Sequence, residues 1–343
     1  MALLHMDGFD SYLNRDDLNW TYSGVGGSYI EVQSTWGRFG GGCVRVTGGN
    51  IVKSLPTAPQ EIWIGGAIKP TNALGTNNAD LFSFYSATGR EATVSLVPST
   101  GVVTAWRNNN VNLGSSAAGA IPADGAYRWV EVRYKMSATV GVVEVWVAGV
   151  RVLNLQNVNT SQNALTALAS VYLLTGGIGT WDILLDDLYI LDTTGAAPAN
   201  TRLGDSRIET LKPAADATPN DATPSSAGAH YLMVNENQWN TSNYLTFTGS
   251  VSTNAELFDM TDLATTPTAV HGVRVIATSQ KSDAGASSLI PTIKSGATSA
   301  DGASQPLTTS WTQQTSLHTV DPATSAAWTM AGVNALKAGV RVA

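Results

Sequence analysis

The clearest alternation of apolar and polar positions is Trp129-Val130-Glu131-Val132-Arg133-Tyr134-Lys135-Met136. Successive side chains on a strand point to opposite faces, so Val130, Val132, Tyr134 and Met136 share one face. Glu131, Arg133 and Lys135 share the other, which predicts a strand with one buried and one wet side. Further strand signals recur at short spacing over 29–32, 43–46, 61–70, 81–85, 93–97, 101–107, 142–147, 150–155 and 172–175. Pro98-Ser99-Thr100-Gly101 and Ala148-Gly149 read as hairpin turns, and Gly149 can take the positive φ a tight turn needs. Residues 181–191 form an apolar run rich in branched and aromatic residues, closed by Thr193-Thr194-Gly195, as expected of a buried strand. Sustained helical periodicity is absent from this half.

Ala196-Ala197-Pro198-Ala199-Asn200 reads as a connector, placing one domain over 1–200 and a second over 201–343. A strand is expected over 207–212, stopped by Pro213, followed by a long Pro/Ser/Asp loop over 216–228. The second domain then shows strand signals at 244–248, 256–260, 270–277, 288–294 and 308–317. Near its end Thr329 is a candidate helix N-cap, Val333 and Leu336 lie at helical spacing, and Gly339 is a candidate C-cap before a last strand. The expected fold is all-β: two β-sandwich domains, the second smaller and ending in a short helix.

Composition narrows the function. The chain of 343 residues is long enough for about two domains of roughly 150 residues. Charged residues are 13%, well below the roughly 25% of an average domain, so small neutral polar residues make up the surface. The net charge of −7 and the lack of a basic run argue against nucleic acid as a partner. No apolar run reaches the roughly 18 residues of a membrane span, and no signal peptide is visible at Met1–Met6, which excludes membrane insertion and secretory export as expectations. Cys43 is the single cysteine; it reads as a small buried hydrophobe, and a lone cysteine suits assembly in a reducing cytoplasm.

Chemistry-bearing motifs are few. His5, His230, His271 and His318 lie far apart in sequence, and Cys-x-x-Cys is absent, so no metal site or cofactor is expected. Gly24-Val25-Gly26-Gly27-Ser28 lacks the following helix of a dinucleotide fingerprint and reads as a loop. Alternation places Asp182 and Asp186 on one face and Asp187 on the other, with no flanking Glu to complete a glycosidase pair. The aromatics are the better lead. Trp106-Arg107-Asn108-Asn109-Asn110 puts an indole, a guanidinium and three amides at a strand exit, the groups a glycan cleft uses. These five residues are the candidate glycan-binding set; Trp36, in a loop, and Trp181 are further tryptophans of interest.

Several motifs carry a resemblance. The opening Asp7-Gly8-Phe9-Asp10-Ser11-Tyr12, the strand from Trp129, the hairpin from Glu144 and the strand from Leu185 together resemble a concanavalin A-like, or laminin G-like, jelly roll. Asp186-Asp187-Leu188-Tyr189, then Leu203-Gly204-Asp205-Ser206-Arg207-Ile208, and the ending from Asp321-Pro322 resemble tailed-bacteriophage virion proteins. The resemblance implies a structural virion component of tail, neck or capsid surface, assembled in the host cytoplasm and acting in assembly and display. It implies other virion proteins as partners, a homo-oligomer, host surface glycan as a further ligand, and no enzymatic activity. A calcium ion held by the aspartates of the laminin G-like strand stays open. The alternatives are a polysaccharide-degrading glycoside hydrolase and a free glycan-binding lectin on the same scaffold.

Overall fold

The alternating run at Trp129 forms a strand in the computed structural model, which describes residues 3–71, 78–108, 110–176, 182–195, 200–248 and 254–343. The chain divides into two units, Met1–Ile208 and Glu209–Ala343. In the first, the strands are β1 (Leu3–Asp7), β2 (Gly24–Gln33), β3 (Cys43–Ser54), β4 (Glu61–Pro70), β5 (Ala79–Ser86), β6 (Gly89–Val97) and β7 (Val102–Arg107). They continue as β8 (Val111–Ser115), β9 (Arg128–Lys135), β10 (Gly141–Val147), β11 (Val150–Val158), β12 (Ser170–Gly176) and β13 (Ile183–Asp192).

Their antiparallel order is β11-β10-β9-β4-β13-β3-β12-β5-β6-β7-β8, with β1 beside β13 and β2 beside β3. The sheet turns over at β3 and β13. The first half of β3 pairs with β13 through Val44–Val46, and its second half pairs with β12 through Gly49–Ser54. The two halves of the sheet then face each other as a jelly-roll sandwich, and their inner faces share one core. Val130, Val132 and Tyr134 of β9 meet Phe82 and Phe84 of β5 there, and Phe84 stacks on Tyr134 at 4.1 Å between centroids. β13 is buried along its whole length, as its apolar run predicts.

A bulge between Asp186 and Tyr189 breaks the alternation of β13. Asp187 takes φ 53, and the expected separation of Asp186 and Asp187 onto opposite faces gives way to two buried carboxyls on neighbouring backbone.

The second unit is also β, with an antiparallel order of Pro213–Asn220, Ala255–Met260, Lys337–Val342, Ser288–Ser295 and Thr298–Asp301. Three sequence expectations are corrected here. Residues 201–212 form no strand, and the strand Pro213–Asn220 begins at the expected stop and runs into the 216–228 stretch expected to be loop. That strand is an edge, where proline's missing N–H removes no ladder bond. The helix covers Met330–Asn334 only, capped by the Thr329 hydroxyl, which accepts from the Gly332 N–H at 3.0 Å. Gly339 is not its C-cap but lies inside the strand Lys337–Val342, where a Cβ would sit 1.9 Å from the Glu256 carbonyl oxygen. No helix among the described residues is long and apolar enough to cross a membrane.

Candidate functional site

Register on the first unit's outer face assembles a groove from residues distant in sequence. Arg45 of β3 is paired with Leu184 of β13, and Leu184 with Lys69 of β4. Tyr127, just before β9, completes the row, with the Lys69 ammonium 5.5 Å from its ring centroid. The loop between β2 and β3 returns over this row and brings Thr35, Trp36, Gly37 and Arg38. Together with Thr71 they enclose an open groove of about 540 Å³, within the few-hundred to roughly 1,000 Å³ range of ligand sites.

The loop is held by its backbone. The Tyr127 hydroxyl donates to the Trp36 carbonyl at 2.9 Å, and the Arg38 N–H donates to Asp186 Oδ2 at 2.7 Å. Glycine is required at its crowded base: a Cβ at Gly37 would lie 2.4 Å from the Gly42 carbonyl oxygen, and one at Gly42 2.4 Å from that of Phe9. The indole of Trp36 is left 49% exposed and the neighbouring Phe39 53%. An aromatic face shown to solvent beside hydroxyls and cations is the arrangement a sugar ring uses.

Electrostatically the groove is graded. Arg45 lies under Trp36, 5.9 Å from its ring, and is neutralised by Asp182 at 2.8 Å and Glu31 at 3.0 Å. Arg38 pairs with Asp205 at 2.6 Å and Asp187 at 3.9 Å. Burial works against its charge, and Asp205, then Asp187 and Asp186, more than restore it. Behind the loop, burial and then the Asp187 charge push Asp186 up to about 8, and burial pushes Asp187 up to about 6. Burial also pushes the Cys43 thiol up to about 12, so Cys43 is the inert buried residue its sequence context implies. Such shifts cluster at working sites as well as in structural networks.

A second groove, of about 410 Å³, lies on the β4–β9–β10 face. Trp63, Glu144 and Trp146 line it from the strands and Thr201–Gly204 from the chain beyond β13. Arg202 stacks on Trp146 at 4.1 Å, and Glu144 is paired with Arg151 at 3.3 Å and Arg133 at 3.7 Å. Glu131 below is fully buried and accepts from the Tyr189 hydroxyl at 2.8 Å, the Gly204 N–H at 2.8 Å and Arg202 at 3.1 Å. It is a fastening for the segment above it.

Of the Trp106–Asn110 set, the described members Trp106 and Arg107 are not on one face. Trp106 and Arg107 alternate across β7: the Trp106 indole donates to Ser95 at 2.8 Å, while Ala105, the neighbour on Arg107's side, belongs to the core. Asn108 turns at φ 45 and gives its N–H to the Glu91 carbonyl, and Asn110 is exposed. Asn109 and Trp181 lie outside the described residues. Sequence reading noted Trp36 but missed Arg38, Lys69, Thr71 and Tyr127; the available signal was a Trp-x-Arg-Phe cluster embedded in glycines. Among the described residues no group of three or more His, Cys, Asp or Glu is placed to hold a metal ion.

No family model matches the chain, and no curated protein matches it in sequence. Among solved structures, the cellulose-induced protein Cip1 aligns at 16% identity and TM-score 0.39, over 52% of this chain and 88% of that one. An alginate lyase, Aly36B, in complex with an alginate tetrasaccharide aligns at 15% identity and TM-score 0.37, over 54% and 95% respectively. The catalytic domain of a glycoside hydrolase family 131 protein from Coprinopsis cinerea aligns at 15% identity and TM-score 0.38, over 59% and 98%. These neighbours are carbohydrate-related β-sandwich proteins, similar to part of this chain. They overturn one expectation: with a lyase and a glycoside hydrolase among them, the chain is not assigned as a non-enzyme.

Proposed function

We propose that the first unit is a polysaccharide-engaging β-sandwich that holds a glycan chain in the groove between Trp36, Lys69 and Tyr127. The observation that carries this reading is Trp36 itself: an indole 49% exposed, fixed through its own carbonyl by Tyr127, and bordering a groove of about 540 Å³. An exposed indole offers a flat apolar face on which a pyranose ring can stack, with its polar edge left for hydrogen bonds. Thr35 and Thr71 supply hydroxyls, and Lys69 and Arg38 supply donors, for the ring's polar edge.

Calorimetry of the whole chain against a broad panel of bacterial and plant polysaccharides tests the reading. Trp36→Ala is expected to weaken binding about tenfold, the upper size of one aromatic stacking contact, with unchanged melting temperature. Equal affinity of the variant and the parent would remove Trp36 from the site.

Turnover of the bound glycan is a second reading, favoured by Asp186. Its carboxyl, buried behind the loop that walls the groove, is pushed up to about 8 and accepts the Arg38 N–H. A carboxyl protonated at neutral pH is the group that general-acid cleavage of a glycosidic bond needs. Product release measured on the panel polysaccharides, falling as pH rises through about 8, supports this reading; no product at any pH rejects it. A place on a tailed-phage particle, with virion proteins as partners and a symmetric assembly, is proposed on the sequence resemblance, and immunogold labelling of the parent particles tests it.

A further inference from the structure

We propose that the glycan held in this groove is acidic, with a sugar carboxylate bound by the Lys69 ammonium while a ring stacks on Trp36. The inference rests on the glycan reading above and adds the class of sugar.

It follows from how the neighbouring cations are paired. Arg45 is taken by Asp182 and Glu31, Arg38 by Asp205 and Asp187, and Arg128, beside Tyr127, by Asp124 at 2.6 Å. Among the described residues no carboxylate lies within ion-pairing distance of Lys69. Its contact is the Tyr127 ring, 5.5 Å from the ammonium, which orients the charge without neutralising it. None of the described residues lining the groove is acidic. A neutral glycan would leave the ammonium facing only hydroxyls, whereas a uronate or sialate carboxylate would complete a charge-assisted hydrogen bond. The chain's net charge of −7 opposes a polyanion at long range, so any preference for acidic sugar must come from such a local contact. At about 0.15 M salt, with a Debye length near 8 Å, the long-range term is screened and a contact pair survives.

The test uses the whole chain at that ionic strength. The probes are alginate, polygalacturonate, hyaluronan and polysialic acid, each beside its carboxyl-reduced form, with dextran, mannan and xyloglucan as neutral chains. Lys69→Met keeps the length of the stem and removes the charge. At least one acidic polymer is expected to bind, its reduced form about tenfold or more weaker, and Lys69→Met weakened to the same degree, the size of one charge-assisted hydrogen bond. The Lys69→Met variant should treat the acidic and reduced forms alike. Binding of neutral or reduced chains with equal affinity, unchanged in Lys69→Met and weakened in Trp36→Ala, would overturn the acidic class and leave the glycan site standing. No binding to any of these polymers would overturn both.

Discussion

Asp186 and Asp187 are adjacent carboxyls on a buried strand, and the cost of charging them there sets their titration. Both are raised in the folded chain, by burial first and, for Asp186, next by the charge of its neighbour. Between the ordinary aspartate range near 3.9 and these raised values, the folded state binds protons that the unfolded state has released. Their contribution to stability is therefore full below about pH 4 and is lost as pH rises through about 6 and then about 8. The melting temperature of the first unit's transition should fall from pH 5 to pH 8. Asp186→Asn, which cannot charge, should flatten that slope; an undiminished slope in the variant would place its origin elsewhere. Glu91 behaves differently because donors surround it. Fully buried on β6, it accepts from the Ser86 hydroxyl at 2.7 Å, the Ser161 hydroxyl at 3.2 Å and the N–H groups of Gln162 and Asn163. Glu91→Ala would strand the buried Ser86 and Ser161 hydroxyls and should cost about 3 kcal/mol, read by denaturant titration.

The β10–β11 hairpin shows an element whose turn is imperfectly matched to its strands. Val147 is paired with Val150, and between them Ala148 takes φ 47 and Gly149 φ 81. A left-handed first position disfavours alanine because its Cβ crowds the carbonyl, whereas asparagine tolerates it. Ala148→Asn should therefore stabilise by about 0.5–1 kcal/mol, seen as a higher midpoint with an unchanged denaturant slope. This hairpin, like β6–β7 and β9, was legible from alternation because each has neighbours close in sequence. The strand at Pro213 was not, since proline reads as a stop and only the tertiary order shows that it sits at an edge, where it is tolerated. Gly339 misled in the same way: a glycine after a helical pattern suggests a C-cap, but here it admits the Glu256 carbonyl between central strands. The groove was least legible of all. Lys69, Leu184 and Arg45 become neighbours through the β4–β13–β3 order, and no local period encodes that.

At the scale of the whole chain, the first unit does not end with β13. Residues beyond its last strand are fastened to it by carboxylates, two of them, Glu131 and Asp187, buried. Glu131 accepts from Arg202 and the Gly204 N–H, Asp187 Oδ1 accepts from the Ile208 N–H at 2.7 Å, and Arg38 is paired with Asp205. Ile208 also packs against Gly8, where a Cβ would meet its side chain at 3.1 Å. Removing the segment would leave Glu131 buried without Arg202, its one ion-pair partner among the described residues, and would uncover the outer face of Tyr189 and Trp146. A buried carboxylate that loses its cation costs about 3–5 kcal/mol, although solvent entering the vacated space would relieve part of that. A chain of residues 1–208 should therefore melt cooperatively, and one of residues 1–200 should melt at least 5 °C lower, because a loss of about 1 kcal/mol shifts a domain of this size by roughly 2–4 °C. Glu131→Gln within 1–208 should fall between the two, since the amide keeps one acceptor for the Gly204 N–H and gives up the ion pair. Equal melting of the two truncations would mean that the segment lies on the sandwich without stabilising it, and the wall it gives the Trp63–Trp146 groove would then be a surface that can lift.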